Sequence, residues 1–537
     1  MSAHSQDGEE TPRRTAGGLP LPVVATEHDV PADLPARLGR PGEYPYTRGI
    51  HEQMYRRRPW TIRQLAGFGT ASDTNARYRL LLDQGATGIN GVFDYPSLRA
   101  VGSDDERAAS DVGRGGVAVD VVEDFTDLFA DIPLDRVSTS IVSSQPIGAV
   151  PHLAMHLVAA ERRGYRPSTL LGTSQNDFLM ETAVTIAPRV LPPSASFRLE
   201  CDLVEFAVRE LPSWNPVSVT GYNYREAGAD APLEIALCLA HGRAVVDEMR
   251  ARGVALESVL PRVSFFLSAH SDFFEEVAKF RAVRRMWAQY VREELGVEDE
   301  RCQKFRFHTQ TSGATSVARF PHVNIARSAV QGLAAVLGGT QSLHVNGYDE
   351  ALSIPTEHAA LTALRTQYVL RHEMGLTDSV DPLGGSYLVE SLTDAMEETT
   401  TKLVAEISGA GGVVACSTSG WVHREFSTRA YEQQRSLDDG RRLVVGINTA
   451  LDGAETPIEP FDHPADTRSR QLERLARVTR ERDHAAAAAA LDGLARACES
   501  RENVLPAALA VARADGTLGE VGDVFRRSFG TWDPPLW

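Results

Sequence analysis

Polar side chains recur at the ends of short β-type runs and define the chemistry open to this chain. Gln175, Asn176 and Asp177 end one run, and Tyr222 and Asn223 end another. His308, Thr309 and Gln310 end a third, and His344, Asn346, Asp349 and Glu350 complete a fourth. Amides and hydroxyls outnumber carboxylate–histidine pairs here. Such groups fix a ligand by hydrogen bonds and are poor proton-transfer catalysts. Each residue also has a plainer role open to it. His308 and His344 lie within strand runs and could be satisfied structural histidines. Asp177 could cap a helix start, Glu350 could be a first-turn helix acid, and Arg63 could pair with a surface carboxylate. The sequence has no P-loop, no G-x-S-x-G elbow, no H-E-x-x-H and no cysteine–histidine zinc pattern. Without a base–nucleophile pair, an unrelated barrel lyase or hydrolase is the weakest of the functional readings.

The elements that must carry these residues alternate between strand and helix. The pattern predicts strands at 88–93, 137–142, 169–173, 217–221, 262–267, 304–309, 341–345 and 379–383. Amphipathic helices are predicted at 72–82, 152–162, 232–250, 273–295 and 323–336. Eight strands separated by helical crossovers is the count for an α/β fold of the (β/α)8 TIM-barrel type, with a doubly wound open sheet as the alternative. Chemistry in such a barrel sits at the C-terminal strand ends. Barrel interiors are usually filled by Val, Ile and Leu. Here Ser138 and Ser140, Ser218 and Thr220, and Ser264 recur with period two, which places each set on one strand face. With that face inward, the barrel has a hydrophilic bore able to admit a long, thin, polar ligand arm.

A chain of 537 residues is too long for one ordinary core. Residues 1–40, rich in Pro, Gly, Ala and charge, read as an extended or disordered arm. Residues 41–395 read as the barrel, and 396–537 as a mainly helical region with a further strand-like segment at 441–448. The net charge of −17 gives no general attraction for nucleic acid or anionic lipid. The basic run Arg56-Arg57-Arg58 could still hold a phosphate-bearing ligand. Cysteines 201, 238, 302, 416 and 498 form no C-x-x-C pair. That pattern, with no apolar signal core and no bilayer-length run, fits a cytoplasmic protein that binds neither metal directly nor membrane.

Segments 44–49, 58–64, 172–177, 214–228, 262–266, 273–281, 308–313, 338–344 and 349–356 together resemble the adenosylcobalamin-dependent acyl-CoA mutases, the methylmalonyl-CoA mutase family. The resemblance covers roughly residues 44 to 390. It implies a (β/α)8 barrel threaded by coenzyme A and a radical 1,2-rearrangement. In that reaction the cobalt–carbon bond breaks, a 5′-deoxyadenosyl radical abstracts a substrate hydrogen, and the thioester carbonyl group migrates. The cofactor supplies the hard chemistry, and the protein supplies binding and isolation. Carried over by position, Thr61, Arg63, Thr173 and Gln175 would line the acyl and pantetheine path. Arg262 and Ser264 would contact coenzyme A. Asn223, Gln175 and Gln310 would be the catalytic positions, and Asn346, Glu350 and Gln310 would hold the adenosyl group.

Departures from the family pattern point to the substrate. Thr185 stands where the methylmalonyl enzyme has a carboxylate-binding arginine, and Leu65 where it has an active-site tyrosine. Burying a carboxylate without a fixed cation is costly. The expected substrate is therefore a non-dicarboxylic branched acyl-CoA of the isobutyryl-CoA/butyryl-CoA type. Val92 replaces the aspartate of hydroxyisobutyryl enzymes, which argues against a hydroxyacyl group. Asn223 replaces the histidine that bonds the thioester carbonyl, and His51 replaces a tyrosine near the start of the active site. These changes leave two alternatives: a longer or more branched acyl-CoA, or a non-catalytic acyl-CoA-binding paralogue. The cobalamin signature D-x-H-x-x-G is absent, so the resemblance implies the large subunit of a two-component mutase. A small cobalamin-binding subunit would carry most of the adenosylcobalamin contacts, within a heterotetramer containing two copies of this chain.

Overall fold

Nine parallel strands wind into a nearly closed barrel sheathed in helices. The structure, a computed structural model, describes residues 13–185, 187–453 and 457–535. The strands are β1 (Thr61–Ala66), β2 (Gly88–Val92), β3 (Ser138–Ser144), β4 (Gly172–Asn176), β5 (Trp214–Asn215), β6 (Val217–Val219), β7 (Val263–Ala269), β8 (Arg306–Thr311) and β9 (Ser342–His344). They are ordered β5-β4-β3-β2-β1-β9-β8-β7-β6. The two sheet edges, β5 and β6, are halves of one barrel position interrupted at Pro216. Proline has no N–H to give a ladder; β5 pairs with β4, and β6 pairs with β7. The result is the eight-position α/β barrel that the strand count implies.

Strand alternation separates two environments. Ile62, Ile89, Ile141, Val217, Val219, Phe265, Leu267, Phe307 and Leu343 are buried in the main hydrophobic cluster. Apolar burial contributes roughly 25 cal/mol per Å2, so this layer between strands and helices holds the barrel together. The opposite faces are largely polar and turn toward the axis.

Two expectations are corrected. No strand forms at 379–383, where the chain runs through bends and turns. The remaining barrel position is filled by β1 instead, which is in register with both β2 and β9. Its Arg63 and Gln64 obscure an ordinary period-two pattern, in which Ile62, Gln64 and Ala66 are buried on the helix side. The strand-like segment at 441–448 is a turn region with one isolated bridge, Val445 to Thr449.

The flanking regions lie against the barrel. In the N-terminal arm, Leu19 is buried and Thr15 Oγ1 donates to Glu275 Oε1 at 2.8 Å. The C-terminal helices Thr467–Glu481, His484–Glu499, Leu505–Arg513 and Leu518–Phe529 wrap the outside. Arg474 pairs with Asp124 at 2.8 Å and Arg470 with Asp73 at 2.7 Å, tying the first of them to the barrel. No described helix is long and apolar enough to cross a membrane.

Candidate active site

The inward strand faces build a polar passage along the barrel axis. Arg63, Leu65, Asn90, Ser140, Val142, Thr173, Gln175, Asn215, Ser218, Ser264, Phe266, Arg306, His308 and Ser342 surround a cavity of about 190 Å3. At the N-terminal strand ends a wider mouth of about 610 Å3 is lined by His51, Arg57, Arg58, Thr61 and Lys304. Gln341 lines both spaces, so mouth and bore adjoin.

The bore contains a cation without a carboxylate partner. Arg63 donates to Ser138 Oγ at 2.8 Å and to Asn90 Oδ1 at 3.4 Å, and its Nε has no partner among the described residues. Burial lowers its pKa to about 10, which leaves it charged at neutral pH. The nearby histidines stay neutral. Burial, with Arg63 adding to it, holds His308 far below the usual imidazole range. Burial brings His344 down to about 4, and its Nδ1 accepts from the Leu65 N–H at 3.0 Å. In the mouth, burial and then Lys304 and nearby arginines lower His51.

At the C-terminal strand ends a hydrogen-bonded cluster closes around Gly313. Gln310 Nε2 donates to Tyr222 Oη and to Asn346 Oδ1, both at 2.9 Å. Asn346 Nδ2 in turn donates to the Thr311 carbonyl at 2.7 Å. The Tyr222 ring stacks on Phe266 at 4.9 Å between centroids, and Phe266 lies beside His308 at 5.1 Å. A Cβ at Gly313 would lie 3.1 Å from Glu226 Oε2, 3.2 Å from Tyr222 Oη and 3.3 Å from Glu350 Oε1. Glycine therefore leaves a cradle between two carboxyl groups and a phenol. Burial, reinforced by Glu226 and Asp349, pushes Glu350 up to about 8. Burial also raises Glu226, against the pull of its bond from Ser312. Burial, and for Glu350 the charge of Glu226, thus favours the neutral carboxyl form on both.

Asp177 positions this end. Its Oδ1 accepts from the Leu179 N–H at 2.9 Å, as a turn cap. Its Oδ2 accepts from the Thr220 N–H at 2.7 Å and from the Tyr224 hydroxyl at 2.6 Å. The buried carboxylate thus fixes the start of the short helix Gly221–Glu226, which carries Tyr222, Asn223 and Glu226. Asn223 is half-buried, and its side-chain amide bonds to no described residue.

The family model described as methylmalonyl-CoA mutase matches residues 14–531. The chain belongs to the methylmalonyl-CoA mutase family. It is 39% identical over 523 residues to the 2-hydroxyisobutanoyl-CoA mutase large subunit of Aquincola tertiaricarbonis, covering 96% of this chain and 92% of that one. It is 38% identical over 538 residues to methylmalonyl-CoA mutase of Escherichia coli, covering 100% of this chain and 74% of that protein. The Rhizobium meliloti methylmalonyl-CoA mutase is 40% identical over 495 residues, covering 92% of this chain and 69% of its own length. The chain is an acyl-CoA mutase, an isomerase of a family that is generally cobalamin-dependent.

The mutase barrel brings some expected residues together and leaves others elsewhere. Arg63, Leu65, Thr173, Gln175 and Ser264 line the bore, while His51 and Thr61 line the mouth. Val92 ends β2 beside Val142, two residues beyond bore-lining Asn90. Thr185 follows the π-helical turn Met180–Val184, where its hydroxyl accepts from Gln145 Nε2 at 3.1 Å. Arg262 lines neither space. It donates to the carbonyls of Ala207 at 2.9 Å and Leu211 at 3.0 Å, closing the end of the helix Pro193–Glu210. Sequence reasoning missed Glu226 and Gln145. Glu226 lies one helical turn after Tyr222, a spacing that puts both on one face. No pattern marks Gln145, because β3 is irregular between Ile141 and Ser144.

Proposed function

We propose that this chain is the large, catalytic subunit of a two-subunit adenosylcobalamin-dependent mutase acting on a branched acyl-CoA without a free carboxylate. An isobutyryl-CoA/butyryl-CoA-like substrate fits best. The observation that carries the substrate reading is the makeup of the bore's C-terminal end. Leu65 and Val142 line it, Val92 pairs with Val142, Gln145 follows on the same strand's end and bonds Thr185, and none of these five is a cation. A carboxylate at that point would lose hydration without gaining a charged partner.

The residues each have a part in this reading. Arg57, Arg58 and Lys304 in the mouth hold the coenzyme A phosphates. The serines, threonines and Arg63 in the bore bond the pantetheine amides. Gln175 and Asn223 orient the thioester carbonyl, with Asn223 donating from its free amide. The stacked Tyr222–Phe266 wall excludes water from the reacting carbons. Two neutral histidines and a set of amides leave substrate protons in place, which suits a hydrogen-atom rather than a proton transfer.

The Gly313 cradle fits an adenosyl group. Its two carboxyl groups with raised pKa values can accept from a pair of ribose hydroxyls, with Asn346 and Gln310 adjoining. Glu350, Glu226, Gln310 and Asn346 would hold that group. The bound cofactor supplies the radical that starts the rearrangement. A small cobalamin-binding subunit would present it at the C-terminal strand ends. Support for that partner comes from the relative named as a large subunit.

The deciding experiment combines the chain with its cobalamin-binding partner, adenosylcobalamin and a panel of acyl-CoAs. Isomerisation of isobutyryl-CoA, with little turnover of methylmalonyl-CoA or 2-hydroxyisobutyryl-CoA, is the expected result. Preference for methylmalonyl-CoA would overturn the pocket argument. A second reading, a longer or more branched acyl chain, is favoured by the small Leu65, Val92 and Thr185. It predicts that turnover rises with acyl branching in the same panel.

A further inference from the structure

A recess of about 450 Å3 on the rim of the barrel is lined by Arg107, Arg189, Arg526 and Arg527, together with Asp523, Gly530 and Thr531. None of these residues lines the bore or its mouth. Arg107 lies on the loop after β2, and Arg189 on the segment after β4. The other two arginines lie on the last helix, Leu518–Phe529. The recess is thus at the C-terminal strand ends, opposite the mouth.

Several independent features hold it in shape. Arg526 donates to the Ala100 carbonyl at 3.1 Å and also to the Arg99 carbonyl. Arg99 donates to the Pro188 carbonyl at 3.0 Å. These bonds join the two loops and the last helix into one wall. Arg189 has a left-handed backbone, φ 59°, uncommon for a side chain of its size. Its N–H donates to Asp533 Oδ1 at 2.7 Å, which pins that geometry. Backbone strain persists where the surroundings over-determine it, and it clusters at ligand sites.

The charge in the recess is only partly answered. Arg107 is answered by Asp105, which it bonds through Nε at 2.9 Å and Nη2 at 2.5 Å. Arg526 reaches Asp523 only at 3.5 Å. The guanidinium groups of Arg189 and Arg527 bond no described residue. Burial and then the like charge of Arg107 hold Arg99 below the ordinary arginine range, and burial does the same for Arg526. In a chain of net charge −17, this is a local concentration of positive charge rather than a general background.

We propose that this recess is a second anion site, distinct from the acyl-CoA path, which binds the phosphoryl groups of a small molecule. Guanidinium forks match phosphate oxygens two at a time, and a phosphoryl group carries enough charge to answer several of them. The volume admits more than a single phosphate and falls within the range of small-molecule pockets. Coenzyme A phosphates at the mouth lie at the other ends of the strands and do not compete for it. The proposal stands whether or not the chain isomerises the acyl group assigned above.

The test is isothermal titration of the full chain at low ionic strength with the mouth saturated by coenzyme A. Inorganic pyrophosphate, ADP and AMP serve as probes, and their ranking separates a free pyrophosphate from a nucleotide as the source. Saturable binding of at least one probe is expected. The double variant R189N/R527A should weaken it by about tenfold or more, the loss expected for charge-assisted hydrogen bonds. Asparagine tolerates the left-handed backbone at position 189, so that variant keeps the local fold. The single variant R527E, on an exposed helix position, should weaken binding in the same direction. Acyl-CoA affinity should be unchanged in both. No binding by any probe, or equal binding by wild type and both variants, would overturn the proposal.

Discussion

The two ends of the barrel axis differ in kind. The mouth is wide and cationic, with Arg57, Arg58 and Lys304 around a space of about 610 Å3. The far end is narrow and tightly cross-bonded, and its Gly313 cluster holds amides, a phenol and two carboxyl groups. Solvated cations at the mouth can gather a charged ligand tail at little desolvation cost. At the far end the Thr185 hydroxyl meets an amide, Gln145 Nε2, rather than a cation, and the carboxyl groups of Glu226 and Glu350 are both held toward their neutral forms by burial. On the acyl-CoA path proposed above, affinity would therefore belong to one end and selectivity to the other, with the polar bore as the ruler between them.

That division can be broken first in the middle. Filling the bore with Ser140→Leu and Ser218→Leu should reduce acyl-CoA affinity by about a hundredfold, because the added side chains occupy the space of the ligand arm. Circular dichroism must show an intact fold for that reading to count. Retained affinity would mean that the ligand does not pass through the axis. At the far end, Gly313→Ala sets a methyl group between Glu226 and Glu350. Turnover with the loaded partner should fall about tenfold or more, while acyl-CoA binding to the chain alone stays unchanged. Equal loss of both would erase the distinction between the ends. At the mouth, Arg58→Glu with Lys304→Glu should weaken coenzyme A binding about tenfold and flatten its salt dependence. An unaltered salt response would remove the mouth from the phosphate path.

The smallest effect sharpens the electrostatic contrast. Glu350 has a folded pKa of about 8, above the ordinary value of 4.5. Between those values the folded chain binds a proton that the unfolded chain releases. The contribution of this group to stability is thus largest at low pH and falls as pH rises through that window, by up to about 1.4 kcal/mol per pH unit. Glu350→Gln should make the decline in urea-unfolding stability from about pH 5 to 8 shallower than in wild type. Asp94, raised to about 7 by burial, titrates in the same window, so the difference between the two chains is the readout. Identical slopes would place Glu350 in a more solvated setting than the cradle provides.

Much of the barrel was legible because its strands alternate so regularly. Ser138, Ser140, Ser218 and Ser264 betrayed the polar axis through spacing alone. β1 was not seen, since a strand holding Arg63 and Gln64 lacks the usual β-branched composition; its partners supply the reason it forms. Arg262 looked like a ligand contact by position, yet a helix end lies within its reach and takes its donors. Glu226 escaped notice because its closeness to Glu350 is made by tertiary folding across more than a hundred residues. The charged stretch after 466 falls in the region read only as mainly helical, and the structure divides it into two helices. Arg482 ends the first of two, with an extended backbone at ψ 162°, and Asp483 caps the second.

Arg63 carries one last implication. A guanidinium inside the barrel that pairs with no described carboxylate leaves donors open for the ligand proposed above, whose carbonyl oxygens would complete the solvation of that group. Heat resistance in this chain should therefore report occupancy. A ligand at a hundred times its dissociation constant adds about 2.7 kcal/mol to any fold that alone binds it, so with the proposed acyl-CoA ligand the melting temperature would track occupancy.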